Sequence, residues 1–457
     1  MMGQISDEQL GKEKIGKLML QMAIPSIVAQ TVNILYSIID RIYIGHIEGI
    51  GTNALTGVGL TLPVITLVSA FSAFVGAGGA PLAAIFMGKG DKKRAEQILG
   101  CGIFMLGIFT AALMVFFYVF KVPLLYMFGA SDQTIGYADR YLSYYLIGTL
   151  MVQLSLGLNP FIISQGQARV GMLTILIGAA VNIVLDPVFI FVLHMDVQGA
   201  AIATVISQTV SAVWIWVFLA GKRSSIRIRK EFIRPDGKNA RIIFSLGISP
   251  FIMRSTESLI SIVMNRGLQD YGGDLYVGSL TIMQSLMQFI SAPIAGFTQG
   301  VQPIISYNFG AGMFERVKKA YRGMIGIVVA YGFVSTGIVM LFPRVFAGFF
   351  ATDAELISLT ARVIPVFMCG MLIFGLQQGI QPTFLATGQA KISLFLAMLR
   401  KVILLVPLAI ILPHWFGVWG VYIAEPVSDI VSAVTAGVLF LLNIKKILSK
   451  ESVDKIQ

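Results

Sequence analysis

Charge is the first thing this chain lacks. Only 12% of its 457 residues are Asp, Glu, Lys or Arg, while 56% are hydrophobic. A soluble domain carries about 25% charged residues, so composition excludes an ordinary soluble protein and points to one that crosses a membrane many times. Cysteine is nearly absent: Cys101 and Cys369 both fall in apolar runs, where they read as small buried hydrophobes with no disulfide framework. Histidine is as scarce. His46, His194 and His414 fall at predicted outer helix ends, which argues against a histidine proton relay or a His-rich metal site. No G-x-x-x-x-G-K-[ST] segment occurs; Met87-Gly-Lys-Gly-Asp91 lacks the spacing, and no soluble stretch is long enough to hydrolyse nucleotide. No cofactor is therefore expected. Protease-like paired aspartates, a membrane nucleophile motif and an extracellular ligand-binding domain are missing too, which makes an intramembrane enzyme or a receptor the weaker alternative and a non-enzyme the expectation.

What is there is apolar length. A membrane span needs around twenty largely apolar residues. Twelve such stretches are read at 17–40, 54–86, 97–120, 138–162, 170–193, 199–220, 242–267, 276–308, 318–342, 357–385, 392–412 and 417–443. The second and eighth are long and contain Gly78, Gly79 and Pro81, and Pro293, Gly300 and Pro303, so they are expected to tilt, bend or break. The first sixteen residues are polar, without a short apolar core and small-residue cleavage site, so the first span is expected to serve as its own targeting signal. The net charge of +11 reads as topology. With a cytoplasmic N-terminus, 25 Lys and Arg fall inside, eight of them between Lys222 and Arg241, against six outside. This bias predicts both termini in the cytoplasm of a multi-pass cell (inner) membrane protein. It also accounts for the basic loop without nucleic acid as a partner.

The two sides of that loop resemble each other. Leu158–Arg169 lines up with Ile380–Lys391, matching Pro160 to Pro382 and Gly166-Gln-Ala168 to Gly388-Gln-Ala390. At the same offset Gly78, Pro81, Gly88 and Gly90 fall on Gly300, Pro303, Gly310 and Gly312, and with small shifts Pro25 meets Pro250. The predicted fold is an all-α membrane protein of twelve transmembrane helices in two pseudo-twofold six-helix bundles. Its parts are a 1–16 N-terminal segment, a 17–221 N-lobe, a 222–241 basic linker, a 242–443 C-lobe and a 444–457 tail. Six is even, so both copies start on one side, with the substrate path expected between them. The copies differ in their chemistry. Asn182 and Asp186 fall on Ile403 and Pro407, Asp40 on Asn265, and Thr204 on Glu425, which concentrates cation-type groups in the first half.

Asn182 and Asp186 share a helix face four residues apart, and Pro187 leaves the Ile183 carbonyl without its helical amide partner. A carboxylate at bilayer depth costs a few kcal/mol and commonly marks an ion or proton path. Asp40 ends the first span, with Asn33, Tyr36 and Ser37 in a polar stripe upstream; the competing reading has Arg41 neutralise it. Such oxygens suit a proton or Na+, and no other metal. In the second half Glu257 has Arg254 three residues before it, the spacing of an ion pair, and is also a candidate for a second proton or cation site. Glu425 and Asp429 share a face, and pairing with Arg400 and Lys401 is the simpler account of them. Gln284 and Gln288 orient a ligand or bridge helices; the 21 Met and 31 Phe supply an adaptable apolar wall.

In joint order and spacing, Ile38-Ile-Asp40-Arg41, Asn182-x-x-x-Asp186-Pro187 and the two Gly-Gln-Ala segments resemble the multidrug and toxic compound extrusion (MATE) family over about Lys14 to Lys446. The resemblance implies a cation site of Asp40, Asn182, Asp186 and Thr204, and a cavity lined by Asn33, Tyr36 and Asn159. Glu257 matches the seventh-helix acid of another branch, whose tenth-helix acid is Leu376 here, so a complete C-lobe cation site is in doubt. It further implies a monomeric antiporter that exports lipophilic, often cationic, small molecules against H+ or Na+, hinged near Pro25 or Pro187. A lipid-linked oligosaccharide or lipid flippase of the same superfamily is the alternative; those proteins tend to have fourteen helices and a cationic cavity.

Overall fold

Apolar chain in a bilayer can satisfy its backbone only by helix or closed barrel, and this sequence takes the helix. The computed structural model describes residues 7–351 and 353–454; residues 1–6 of the N-terminal segment and 455–457 of the tail, Lys455 among them, lie outside the described residues. The first three spans are Ile15–Gly45, Gly51–Gly88 and Lys92–Met127. The fourth is bent between Ile135–Ile147 and Thr149–Ser164, the fifth is Ala168–Pro187 continued by a π turn Val188–Val192, and the sixth is Asp196–Ala220. The second set is Gly237–Gly272, Asp274–Gly310, Phe314–Leu341, the bent pair Ala354–Met368 and Met371–Ala386, then Ala390–Met398 continued by a π turn Leu399–Leu405 and by Val406–Ile411, and Val418–Ile447. Among the described residues, nine helices and the two bent pairs are long and apolar enough to span. The seventh, Gly237–Gly272, makes twelve; Arg254 and Glu257 in its middle lower its hydropathy.

The duplication is visible in the backbone. Gly90 and Gly312 have φ of 81° and 70°, and Gly166 and Gly388 have 86° and 73°, so left-handed residues close the second and fourth helices of each copy at matched positions. Of the ways in which the long second and eighth helices could accommodate their length, a break is excluded: both run unbroken, Gly51–Gly88 and Asp274–Gly310. The fourth and tenth bend instead, by 61° and 48°. The breaks fall at Gly148 and at Cys369–Gly370, where a glycine lets the helix press on the sixth helix of its own copy. A methyl group on Gly148 would strike Val205, and one on Gly370 would lie 2.7 Å from Cα of Pro426.

By internal contacts the chain groups into two units. One is Val28–Arg254 with the chain start through Leu10. Its core includes Val64, Val68, Leu113, Phe117, Leu142 and Val152. Into it the seventh helix brings its first half, clamped on the second. A methyl on Gly78 would lie 2.6 Å from the Ile243 carbonyl oxygen. Phe74 sits edge-on to Phe244 and Phe251 at 4.9 and 5.7 Å. The linker is strapped to the same unit: Gln165 Oε1 accepts from Ser224 Oγ and from the amides of Ser225 and Ile226, while Glu96 accepts from the Arg227 amide at 3.1 Å and Arg229 Nε at 2.9 Å.

The other unit is Ser255–Gln457 with Gly11–Ile27. Met264, Leu280, Met283, Phe367 and Tyr422 are in its core. The first half of the first helix packs on the eighth, where a methyl on Gly300 would lie 2.6 Å from the Met22 carbonyl oxygen. Each copy thus holds the start of the other copy's first helix, and the exchange follows Pro25 and Pro250 by a few residues.

Candidate functional site

The fifth helix stays regular as far as Pro187 and then widens into a π turn, a local irregularity that often accompanies function. Asp186 is the last residue before that proline. It is 0% exposed and Asn182 is 1% exposed. One turn apart, the two are joined by a hydrogen bond from Asn182 Nδ2 to Asp186 Oδ1 at 3.1 Å.

Asp40, near the end of the first helix, turns its carboxyl to within hydrogen-bond reach of Asp186. Three residues on, Tyr43 lies edge-on to Phe191 of the π turn at 6.2 Å, which holds the two helix ends together. Arg41 is exposed and acts on Asp40 only through space, with no ion pair to it among the described residues. Tyr36, one turn before Asp40, lies within electrostatic range of both acids. From the fourth helix comes Tyr141, whose hydroxyl bonds the Thr204 side chain of the sixth helix beside the same acids. Its ring stacks on Tyr145 at 6.4 Å.

Hydrogen bonds leave this cluster incomplete. Asp40 Oδ1, Asp186 Oδ2 and Asn182 Oδ1 are buried with no hydrogen-bond partner. Polar atoms in protein interiors are normally paired, so three orphan oxygens around two facing carboxyls are an arrangement built for something positive. The oxygen-only donor set fits a proton or a hard monovalent cation. Among the described residues no group of three or more His, Cys, Asp or Glu is placed to hold a metal ion.

Of the sequence-derived residues, the structure brings together Asp40, Tyr36, Asn182, Asp186 and Thr204. Asn33 is half-buried on the same helix and its carbonyl accepts from Ser37 Oγ at 3.0 Å. Asn159, in the second limb of the fourth helix, is buried with Oδ1 unpartnered. Gln284 and Gln288 belong to the other unit, one half-buried and one exposed on the eighth helix. Pro25 and Pro187 lie within their helices. Tyr141 and Tyr145 were not anticipated, although two hydroxyl-bearing aromatics one turn apart in a membrane span were there to be read.

The second copy places ions where the first places oxygens. Arg400 alone takes both twelfth-helix acids, Asp429 at 2.7 Å and Glu425 at 3.0 Å. Lys401 goes to Glu257 at 3.3 Å. Glu257 therefore sits in an ion pair, and a proton or cation there would have to compete with an ammonium group.

Fold and site together define a twelve-helix, internally duplicated membrane protein with a buried pair of acids in one unit. The MatE family model matches residues 25–188 and 251–411, and the chain belongs to that family. It is similar to the multidrug export protein MepA of Staphylococcus haemolyticus, 26% identical over 430 residues that cover 93% of this chain and 94% of the relative. MepA of Staphylococcus aureus (strain NCTC 8325) is also 26% identical, over 92% of this chain and 94% of its own. Among solved structures, a MATE crystal structure in the bent conformation superposes with a TM-score of 0.90 at 23% identity, covering 98% of this chain and 100% of the other. An outward-facing multidrug resistance MATE transporter of the MOP superfamily also gives 0.90, at 22% identity with the same coverage.

Proposed function

We propose that this chain exports lipophilic, often cationic, small molecules from the cell by antiport against H+ or Na+, with both termini in the cytoplasm. One observation carries the reading: Asp40 and Asp186 face each other inside one unit, three oxygens around them are buried without partners, and among the described residues no base forms an ion pair with either. Two carboxylates held this way repel in low dielectric, and a proton or a small cation between them relieves the repulsion. Asn182 and Thr204 complete the oxygen set, with Tyr36 and Tyr141 around it. Occupancy of the site changes the charge that a cationic substrate meets, and Pro25 and Pro187 are the proposed hinges. Asn33, Tyr36, Asn159, Gln284 and Gln288 are the proposed substrate contacts. The named relatives are multidrug export proteins, which supports the substrate class. For a neutral substrate, one positive charge moving inward gains about 2.3 kcal/mol per 100 mV, roughly a fifty-fold concentration bias, whereas one-for-one exchange with a monovalent cation moves no net charge and draws on the ion gradient alone.

The test is accumulation of a fluorescent lipophilic cation in proteoliposomes under separately imposed pH and sodium gradients. Wild type is expected to respond to one of the two and Asp186→Asn to neither, while remaining folded and monodisperse. Transport indifferent to both gradients would refute the proposal.

A further inference from the structure

The ion pairs of the second copy have no part in the function proposed above. Arg400 and Lys401 lie in the π turn Leu399–Leu405 of the eleventh helix. Arg400 holds Asp429 and Glu425, stacks its guanidinium over the Phe374 ring at 4.0 Å, and has its own carbonyl capped by Ser428 Oγ at 2.6 Å. Arg400, Lys401, Glu425 and Asp429 are all buried, while the side chain of Glu257 is 63% exposed. The enclosed set is therefore two bases and two acids. Arg400 joins the two buried acids, Lys401 reaches out to Glu257 at the rim, and Asp429 Oδ2 is left without a hydrogen-bond partner.

The first copy uses the same three helices differently. Its first, fifth and sixth helices supply Asp40, then Asn182 and Asp186, then Thr204: two acids and no base. Thr204 and Gln208 stand where the second copy has Glu425 and Asp429, and Ala179 and Ala180 stand where it has Arg400 and Lys401. One copy has two facing acids with no ion-paired base among the described residues, Arg41 acting on Asp40 only through space. The other has its cations attached to the chain.

We infer that Arg400 and Lys401 are built-in counter-ions, so that of the two copies only the first exchanges an ion during transport. A guanidinium cannot be deprotonated in a protein, and here it grips both acids at once, so although Asp429 Oδ2 is left without a hydrogen-bond partner, a free cation there would have to compete with a fixed positive charge already in contact with both carboxylates. A neutral buried set also exerts little pull on a second ion, whereas removing one partner would leave a buried charge uncompensated. The inference rests on the Asp40–Asp186 pair being the coupling site, and the test separates the two.

The measurement is the steady gradient of a fluorescent cation held across proteoliposomes at zero membrane potential by a ten-fold gradient of the coupling ion. Each ion exchanged per substrate multiplies that gradient by about ten. Two neutralised networks are compared with wild type: Arg400→Met with Glu425→Gln and Asp429→Asn, and separately Lys401→Met with Glu257→Gln. Replacing whole ion pairs by neutral groups of similar size is commonly tolerated. Both variants are expected to hold the same gradient as wild type. A drop of about ten-fold in either would place an exchangeable ion in the second copy and overturn the inference. Asp186→Asn is the distinguishing arm: an undiminished gradient there sinks the coupling site itself, whatever the network variants do.

Discussion

Adding one methyl group at Gly78 tests how the second and seventh helices are packed within one unit. In the structure that carbon would lie 2.6 Å from the Ile243 carbonyl oxygen and 2.8 Å from the Gly247 nitrogen, both of them backbone atoms that cannot rotate away. Ordinary contact begins at 3.4 Å, so the second and seventh helices would have to part by about 0.8 Å. A gap of that size forfeits a quarter to a half of the dispersion energy of each contact it opens. Those contacts include Phe74 on Phe244 and Phe251, and Phe71 on Phe251 at 4.9 Å. Overpacking of a tight interface typically destabilises by about 1–3 kcal/mol, and Gly78→Ala is expected near the upper end. Gly300→Ala, with the Met22 carbonyl oxygen at 2.6 Å, should behave alike in the other unit. Gly107→Ala is the control: it lies inside the third helix with nothing within 4 Å of the added carbon, so helix propensity alone makes it neutral to about 1 kcal/mol stabilising. Denaturant unfolding in detergent, followed by tryptophan fluorescence, reads the difference. Equal stability of Gly78→Ala and Gly107→Ala would refute the close-packed clamp.

Other perturbations address single contacts. Glu96→Ala removes the acceptor for the Arg227 amide and Arg229 Nε. It is expected to destabilise by about 1–3 kcal/mol and to speed tryptic cleavage at Arg227 and Arg229; an unchanged cleavage rate would mean the linker is not strapped there. Tyr141→Phe takes a hydrogen bond from Thr204 beside the acids, and should raise the half-saturating coupling-ion concentration about three- to ten-fold. Thr204→Val should do the same and the pair should add little more; full additivity would show that the two do not act together.

How much of this could be read from residues alone follows from the kind of physics involved. Helix placement depends on apolar length and on where Gly, Pro and charge interrupt it, all of which are local, so the twelve spans fall within a few residues of the helices observed. The repeat was legible because Gly166 and Gly388 need left-handed backbone whatever surrounds them. The bends at Gly148 and Gly370 were not, since each depends on what the sixth helix of that copy presents, Val205 or Pro426. At the candidate site, Asn182 and Asp186 announce themselves by being polar in an apolar run. Tyr141 does not, because tyrosine is common at membrane depths near an interface. Partner choice is equally non-local. Spacing alone could not show that the eleventh helix brings Lys401 to Glu257, or that Arg400 reaches both Glu425 and Asp429.

The central claim is that Asp40 and Asp186 together hold one exchangeable cation. Infrared difference spectroscopy of the purified protein, with and without the coupling ion, reads it without transport, because a carboxyl that gains a proton and a carboxylate that gains sodium change different bands. The account predicts a carboxyl signal in wild type that vanishes in both Asp40→Asn and Asp186→Asn and survives Glu257→Gln. A signal that persists in either aspartate variant, or is lost only with Glu257, would contradict it.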